Sequence, residues 1–270
     1  MEKKTIFITG ASSGLGKAAA KLFQTSGWNV IATMRNPASD TELSQLDNVF
    51  LYALDVTDAT QVRSTINEVL NQFDVDVVFN NAGYGMVGGF EAYSDDDIRR
   101  QIETNFIGVL RVAQPFITYF RKHQKKGILL TTTSAAGIAA NPLASVYSAT
   151  KFALEGWSEA VNYEVNQFGI RLKTIAPGGM ATDYAGRSLA YVESEPYSPL
   201  WNKMIAGFED GSTEVHFSSP EDVAKVVFEA ATDNKSQLRY IAGPDAQKIA
   251  SDREKLGQQE QFEQISRLYF

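Results

Sequence analysis

The chain has no cysteine among its 270 residues and only two histidines, His123 and His216. Disulfides, thiol nucleophiles and thiolate metal sites are therefore excluded, and two imidazoles cannot build a histidine zinc centre, so no metal is expected. Basic charge is also short. With 25 lysines and arginines against 32 acids, the formal net charge is -7 at pH 7. That balance offers no footprint for a phosphate backbone or an anionic lipid surface, so neither a nucleic-acid nor a membrane partner is expected. Long apolar runs are missing as well. The stretch after Met1-Glu2-Lys3-Lys4 ends at Thr9-Gly10, too short for a signal-peptide core or a membrane span, and a cytoplasmic protein is expected.

What remains is 44% hydrophobic and 21% charged, the composition of a globular domain at a length where α/β folds commonly stay undivided. One domain over residues 1–270 is expected. Short β-branched runs alternate with segments of helical period, a pattern that implies βαβ units and a doubly wound parallel sheet. The runs predict strands over Thr5–Thr9, Asn29–Thr33, Val49–Ala53, Val75–Asn80, Ile128–Thr133, Arg171–Ile175 and Leu238–Ile241. Leu15, Ala18, Ala19, Leu22 and Phe23 recur at the spacing of one helix face, as do Val62, Ile66, Val69, Leu70 and Phe73. Two longer helices are expected at about Asp95 to Gln124 and Ser145 to Phe168. Ser219-Pro220-Glu221-Asp222 marks another helix start, with a serine cap and acids in the first turn.

Between about 182 and 219 the periodicity fails while Leu189, Tyr191, Leu200, Trp201, Met204 and Phe208 persist. An apolar excursion without strand character suggests a lid over a pocket, hence an apolar substrate; the same residues could equally pack on the body or on a second subunit. The tail beyond Ala246 is polar, and its few large apolar residues, Leu256, Phe262, Ile265, Leu268 and Tyr269, are expected to dock on the body.

The first strand runs directly into Thr9-Gly10-Ala11-Ser12-Ser13-Gly14-Leu15-Gly16 and a helix. Glycines there let the backbone approach a pyrophosphate, and the free N–H groups and dipole of the helix start attract its charge. At the end of the second strand, where an NAD site usually carries an acid, stands Arg35, whose guanidinium suits a 2′-phosphate. NADP(H) is therefore preferred over NAD. Of 11 tyrosines only Tyr147 has lysine, Lys151, four residues on, so the two side chains share a helix face. Making a phenol an acid/base near neutrality needs about 4 kcal/mol in favour of the phenolate, roughly what one ammonium about 4 Å away supplies. Ser134 ends the preceding strand region, where a parallel sheet gathers catalytic groups, and can donate to a carbonyl oxygen.

In this order the chain resembles the short-chain dehydrogenase/reductase family, in its shorter-chain subdivision. The resemblance is carried by the glycine motif, Asp55 in Leu54-Asp55-Val56, Asn80-Asn81-Ala82-Gly83, Asn105, the interval from Ser134 to Tyr147 and Lys151, and Pro177-Gly178 followed by Thr182. It implies that Gly10, Ser12, Ser13, Gly14, Leu15 and Gly16 hold the pyrophosphate, that Asp55 and Val56 meet the adenine, and that Asn81, Ala82 and Gly83 border the adenosine. It further implies that Lys151 holds the nicotinamide ribose, that Pro177, Gly178 and Thr182 face the carboxamide, and that Asn105 holds a water linking Lys151 to solvent. The ending, which continues past Gly243-Pro244-Asp245 without a glycine-rich close, resembles the hydroxysteroid and retinol dehydrogenase-like branch. A homodimer or homotetramer is implied, with assembly through the C-terminal strand in doubt. The reaction expected is hydride exchange between NADP(H) and a carbonyl or secondary alcohol; an NAD-linked dehydrogenase or epimerase, or a non-catalytic nucleotide sensor, are the other readings of the same residues.

Overall fold

The computed structural model describes residues 3–181, 189–209 and 216–270. A seven-stranded, wholly parallel sheet forms the centre, in the order β3-β2-β1-β4-β6-β7-β9. Its strands are β1 (Thr5–Thr9), β2 (Asn29–Met34), β3 (Val49–Ala53), β4 (Val77–Asn80), β6 (Ile128–Thr132), β7 (Arg171–Pro177) and β9 (Arg239–Ala242). Residues 5–9 are all buried because helices cover both faces, which is why the strand reads as a continuous apolar and β-branched run.

Alternation along each strand then divides the core. Ile6, Ile8, Val30 and Ala32 point to one layer, which includes Phe23 and Val227; Phe7 and Ile31 point to the other, with Ile66, Phe116 and Phe120. The first layer belongs to α1 (Gly14–Thr25) and α7 (Pro220–Thr232), the second to α2 (Ala59–Gln72), α4 (Gly108–Lys122) and α5 (Ser145–Val165). Phe7 meets Phe116 with ring centroids 4.9 Å apart. Each such buried aromatic contributes roughly 1.5–3 kcal/mol by leaving water.

Local signals set the boundaries. Asp58 caps α2 by accepting from the Thr60 and Gln61 N–H groups, Ser94 and Asp97 form a capping box on α3 (Asp95–Ile102), and Ser219 caps α7. The single long helix expected over 95–124 is interrupted: a π turn, Glu103–Ile107, separates α3 from α4.

The region expected to lack strands holds one. β8 (Leu189–Val192) pairs in parallel with β5 (Gly85–Gly88), and α6 (Ser198–Glu209) follows. The tail forms α8 (Pro244–Tyr269), which breaks at Gly257 with φ 74° and ψ 178°. Its docking differs from the expectation: Leu256, Phe262 and Leu268 are exposed, while Ile265 and Tyr269 are half-buried. No helix among the described residues is long and apolar enough to cross a membrane.

Candidate active site

In the sheet order the chain leaves β1 toward β2 and β3 on one side and returns to β4 on the other, so a crevice opens at the C-terminal ends of β1 and β4. Thr9 ties that point together: its hydroxyl accepts from the Asn81 and Ala82 N–H groups at 3.0 and 3.1 Å. Asn81 returns its amide to the Thr9 and Gly10 carbonyls at 3.2 and 3.1 Å and accepts from Thr132 at 3.3 Å.

The glycine motif lies in this crevice. Gly10 sits at φ +69° with its Cα against Ala82, where a Cβ would come 2.8 Å from the Ala82 Cα. At Gly16 a Cβ would lie 2.2 Å from the Gly10 carbonyl, so neither position admits a side chain. Ser13 is the N-cap residue of α1 but its side chain makes no capping bond, and the first turn contains no acid. The opening N–H groups of Gly14, Leu15 and Gly16 thus have no intrahelical partner and face an electropositive helix end, the cradle a pyrophosphate needs. Ser12 lies exposed in the same loop, and Arg35 is exposed immediately past β2. Asp55 spends Oδ1 on the Thr57 N–H and hydroxyl at 2.9 and 2.7 Å. Val56 is buried against Gly108, whose Cβ would come 2.8 Å from a Val56 methyl. These residues fit a dinucleotide laid across the strand ends.

Ser134 stands two residues past β6, in extended backbone at φ -176°, and its Oγ accepts from the Ala136 N–H at 3.1 Å. The cap uses an oxygen lone pair and leaves the hydroxyl proton to donate elsewhere. Tyr147, half-buried, and Lys151, 6% exposed, occupy the first turns of α5. The Lys151 Nζ donates to the Thr132 carbonyl at 2.8 Å and lies 5.5 Å from the Tyr147 ring centroid. Burial pushes this ammonium down to about 8, and only the field of Glu155 opposes it. Gly137 packs on the same turn, where a Cβ would come 3.1 Å from the Lys151 carbonyl group.

Asn105 falls inside the π turn and is 1% exposed. Its amide is engaged at both ends: Oδ1 accepts from the Tyr84 N–H at 3.0 Å, and Nδ2 donates to the Tyr84 carbonyl at 2.8 Å. Nδ2 also reaches Thr150 Oγ1 at 3.5 Å, which donates to the Tyr147 carbonyl at 2.7 Å. The side chain therefore fastens the segment that follows Gly83 to the helix bearing Tyr147. Pro177 ends β7, and Gly178 is pressed against Asp245, whose Oδ1 would be 2.0 Å from a Cβ there. Thr182 lies outside the described residues. Of the expected residues, Lys151 meets the Tyr147 ring and the Thr132 carbonyl two residues before Ser134, while the sequence reading missed the Thr132 carbonyl, Glu155 and Asp245. Glu155 had one available signal, its position four residues after Lys151.

Residues 4–191 match the family model for short chain dehydrogenases. The oxidoreductase BOA17 of Botryotinia fuckeliana is 36% identical over 253 residues, 92% of this chain and 91% of the relative. A short-chain dehydrogenase from Streptomyces avermitilis superimposes with a TM-score of 0.85 at 29% identity, covering 98% of each chain. An alcohol dehydrogenase from the archaeon Thermococcus sibiricus, complexed with 5-hydroxy-NADP, gives 0.71 at 25% identity over 89% of this chain and 96% of that one. With the family model covering residues 4–191 and an oxidoreductase 36% identical over nine-tenths of both chains, the chain belongs to the short-chain dehydrogenase family.

Proposed function

We propose that the protein is an NADP(H)-dependent cytoplasmic reductase of ketones or aldehydes, working reversibly on the corresponding secondary or primary alcohols. The observation that carries this reading is the buried Lys151 ammonium, held 2.8 Å from the carbonyl of Thr132, two residues before Ser134, and 5.5 Å from the Tyr147 ring. A cation so placed favours the phenolate form of Tyr147 and makes the phenol a usable acid near neutrality.

The glycine cradle, Arg35, Asp55, Asn81 and the backbone after Pro177 would hold the dinucleotide, with Thr182 completing the carboxamide side. Bound there, a reduced nicotinamide would supply the hydride for the carbonyl carbon. Ser134 donates its hydroxyl proton as a hydrogen bond to the carbonyl oxygen, and Tyr147 transfers its own proton to that oxygen as charge develops. Because the Asn105 amide is committed to Tyr84, a water relay at that position has to use the Asn105 main chain. Arg35, with no acid at the end of β2, supports the phosphorylated cofactor. The Thermococcus relative bound to an NADP analogue supports it too. For the substrate, the Tyr191 and Trp201 rings, tilted by 36° with centroids 4.4 Å apart in the region expected to act as a lid, support an apolar carbonyl compound.

The test is nicotinamide absorbance loss with NADPH and with NADH against aldehydes, aromatic ketones, steroids and charged keto acids. NADPH-driven turnover that falls by roughly 10³-fold in Tyr147→Phe is expected. Tight NADPH binding without turnover of any substrate would instead favour a nucleotide sensor, and preferred use of NADH would overturn the cofactor assignment.

A further inference from the structure

Helix α5 carries a second ionisable group on the face of Lys151. Glu155 follows one turn later and is 6% exposed, and both of its oxygens are engaged. Oε1 accepts from the Thr133 hydroxyl at 2.6 Å; Oε2 accepts from the Thr174 hydroxyl at 3.1 Å and from Arg239 Nε at 2.9 Å. Those partners stand immediately past β6, on β7 and on β9, three neighbours in the sheet, so one carboxylate fastens α5 to all three. Thr133 stands between Thr132, whose carbonyl holds Lys151, and Ser134.

The charges are unequally buried. The Glu155 side chain is 7% exposed and that of Arg239 is 39% exposed, so water screens the cation more than the anion. Lys151 makes no ion pair among the described residues and donates to a neutral carbonyl. Residues four apart on a helix have Cβ atoms about 5–6 Å apart, within reach of a strong field in a buried site.

We propose that Glu155, with Arg239, is a positioning residue of the proton-transfer site: its carboxylate holds the end of β6 beneath Ser134 and is the counter-charge that keeps Lys151 protonated. The inference rests on the assignment of Tyr147 and Lys151 as the proton-transfer pair. Burial opposes the Lys151 charge and Glu155 offsets part of that opposition. Among the described residues, the charged groups facing Glu155 are Lys151 on its own helix and Arg239 on β9; the residue after β6, Thr133, and Thr174 on β7 present neutral hydroxyls. A nearby negative charge raises the proton affinity of a neighbouring amine, so its removal lowers that of Lys151.

The experiment is a carbon-13 titration of protein labelled at lysine Cε, with the Lys151 signal identified by its absence in Lys151→Arg. In parallel, kcat/KM against pH is measured for NADPH-dependent reduction of 4-nitrobenzaldehyde. The Lys151 midpoint, about 8 in the parent, is expected to fall by roughly one unit or more in Glu155→Gln. The alkaline limb of kcat/KM moves down with it, so that the loss relative to the parent grows with pH. A fixed midpoint, or an equal loss of kcat/KM at every pH, overturns the proposal and leaves Glu155 a purely structural tie. Should Glu155→Gln not fold, Arg239→Gln removes the opposing cation and must raise the midpoint; a fixed or lowered midpoint there also overturns it. A shifted midpoint in a protein that reduces no carbonyl would locate the failure in the proposed reaction. Tyr147-dependent turnover with a fixed midpoint would locate it in the role given to Glu155.

Discussion

Two lysines are buried in this protein, and their surroundings give them different work. Lys173, 1% exposed, is fully matched: it donates to the Ala230 carbonyl, the Asp233 carboxylate and the Tyr240 hydroxyl at 2.8, 2.8 and 3.0 Å. Lys151 has a neutral carbonyl and a field from Glu155, so its charge is held loosely enough to respond to events at Tyr147. Arg35 is the opposite case, exposed and positioned by the end of β2 alone. Its worth depends on the ligand it meets. Replacing it by aspartate removes a charge-assisted bond and adds repulsion, so the KM for NADPH is expected to rise by about 10–100-fold while NADH use improves, the difference a charged hydrogen bond of roughly 1.5–3 kcal/mol implies. Steady-state kinetics with both nucleotides checks this, and an unchanged ratio would show that the 2′-phosphate lies elsewhere.

At the scale of elements, the first half of β7, the C-terminus of α7 and β9 are joined by the Lys173, Asp233 and Tyr240 cluster, in which Tyr240 also donates to Asp233 at 2.6 Å. Burial pushes the Asp233 carboxyl up, but the bonds from Lys173 and Tyr240 outweigh it and bring it down to about 2. Its folded value thus lies below the ordinary 3.8. The stabilisation is complete above that ordinary value and is lost as pH falls through about 2. Asp233→Asn leaves Lys173 buried without a counter-ion, at a cost of about 3–5 kcal/mol. Calorimetry at neutral pH should show Tm lower by roughly 10 °C, with a shallower loss of stability between pH 4 and 2 than in the parent. The same elements show what a sequence discloses. The run at 5–9 and the glycines at 10, 14 and 16 identify β1 and α1 because burial on both faces and a phosphate cradle each demand particular residue types in order. The four-residue strand at 85–88 begins and ends with glycine and offers no such pattern. Helix α8 was hidden because it has no apolar stripe: side-chain bonds hold it instead, from the Gly179 N–H to Asp245 at 2.6 Å and from Arg253 to the Ile138 carbonyl at 2.8 Å. Glu155 was passed over for a related reason, since an acid four residues after a lysine on a helix reads as a solvated surface pair until the ends of the sheet strands converge on it.

For the whole molecule, the decisive feature is apolar surface left uncovered on the side of α3 and α5. A cavity of about 410 Å³ opens there, lined by Phe90, Ile98, Ile102, Phe106, Val146 and Ala153. Further along, Phe152 and Phe168 are each 43% exposed and Tyr163 is 77% exposed. Large apolar side chains exposed together are uncommon on proteins that remain single, and a helix face carrying them can pair with its own copy across a two-fold axis. A homodimer packed through α5 is therefore expected, with a molar mass twice the 29.7 kDa of the chain. Phe152→Glu would set two carboxylates against each other in that interface without touching the core, since the side chain points outward. Light scattering on a size-exclusion column should find the parent as a dimer and the variant as a monomer at micromolar concentration, with far-UV circular dichroism unchanged. A variant that still elutes at the parent's mass would show that α5 is not the contact, and would direct attention to the exposed Phe262 and Leu268 of α8 as the alternative surface.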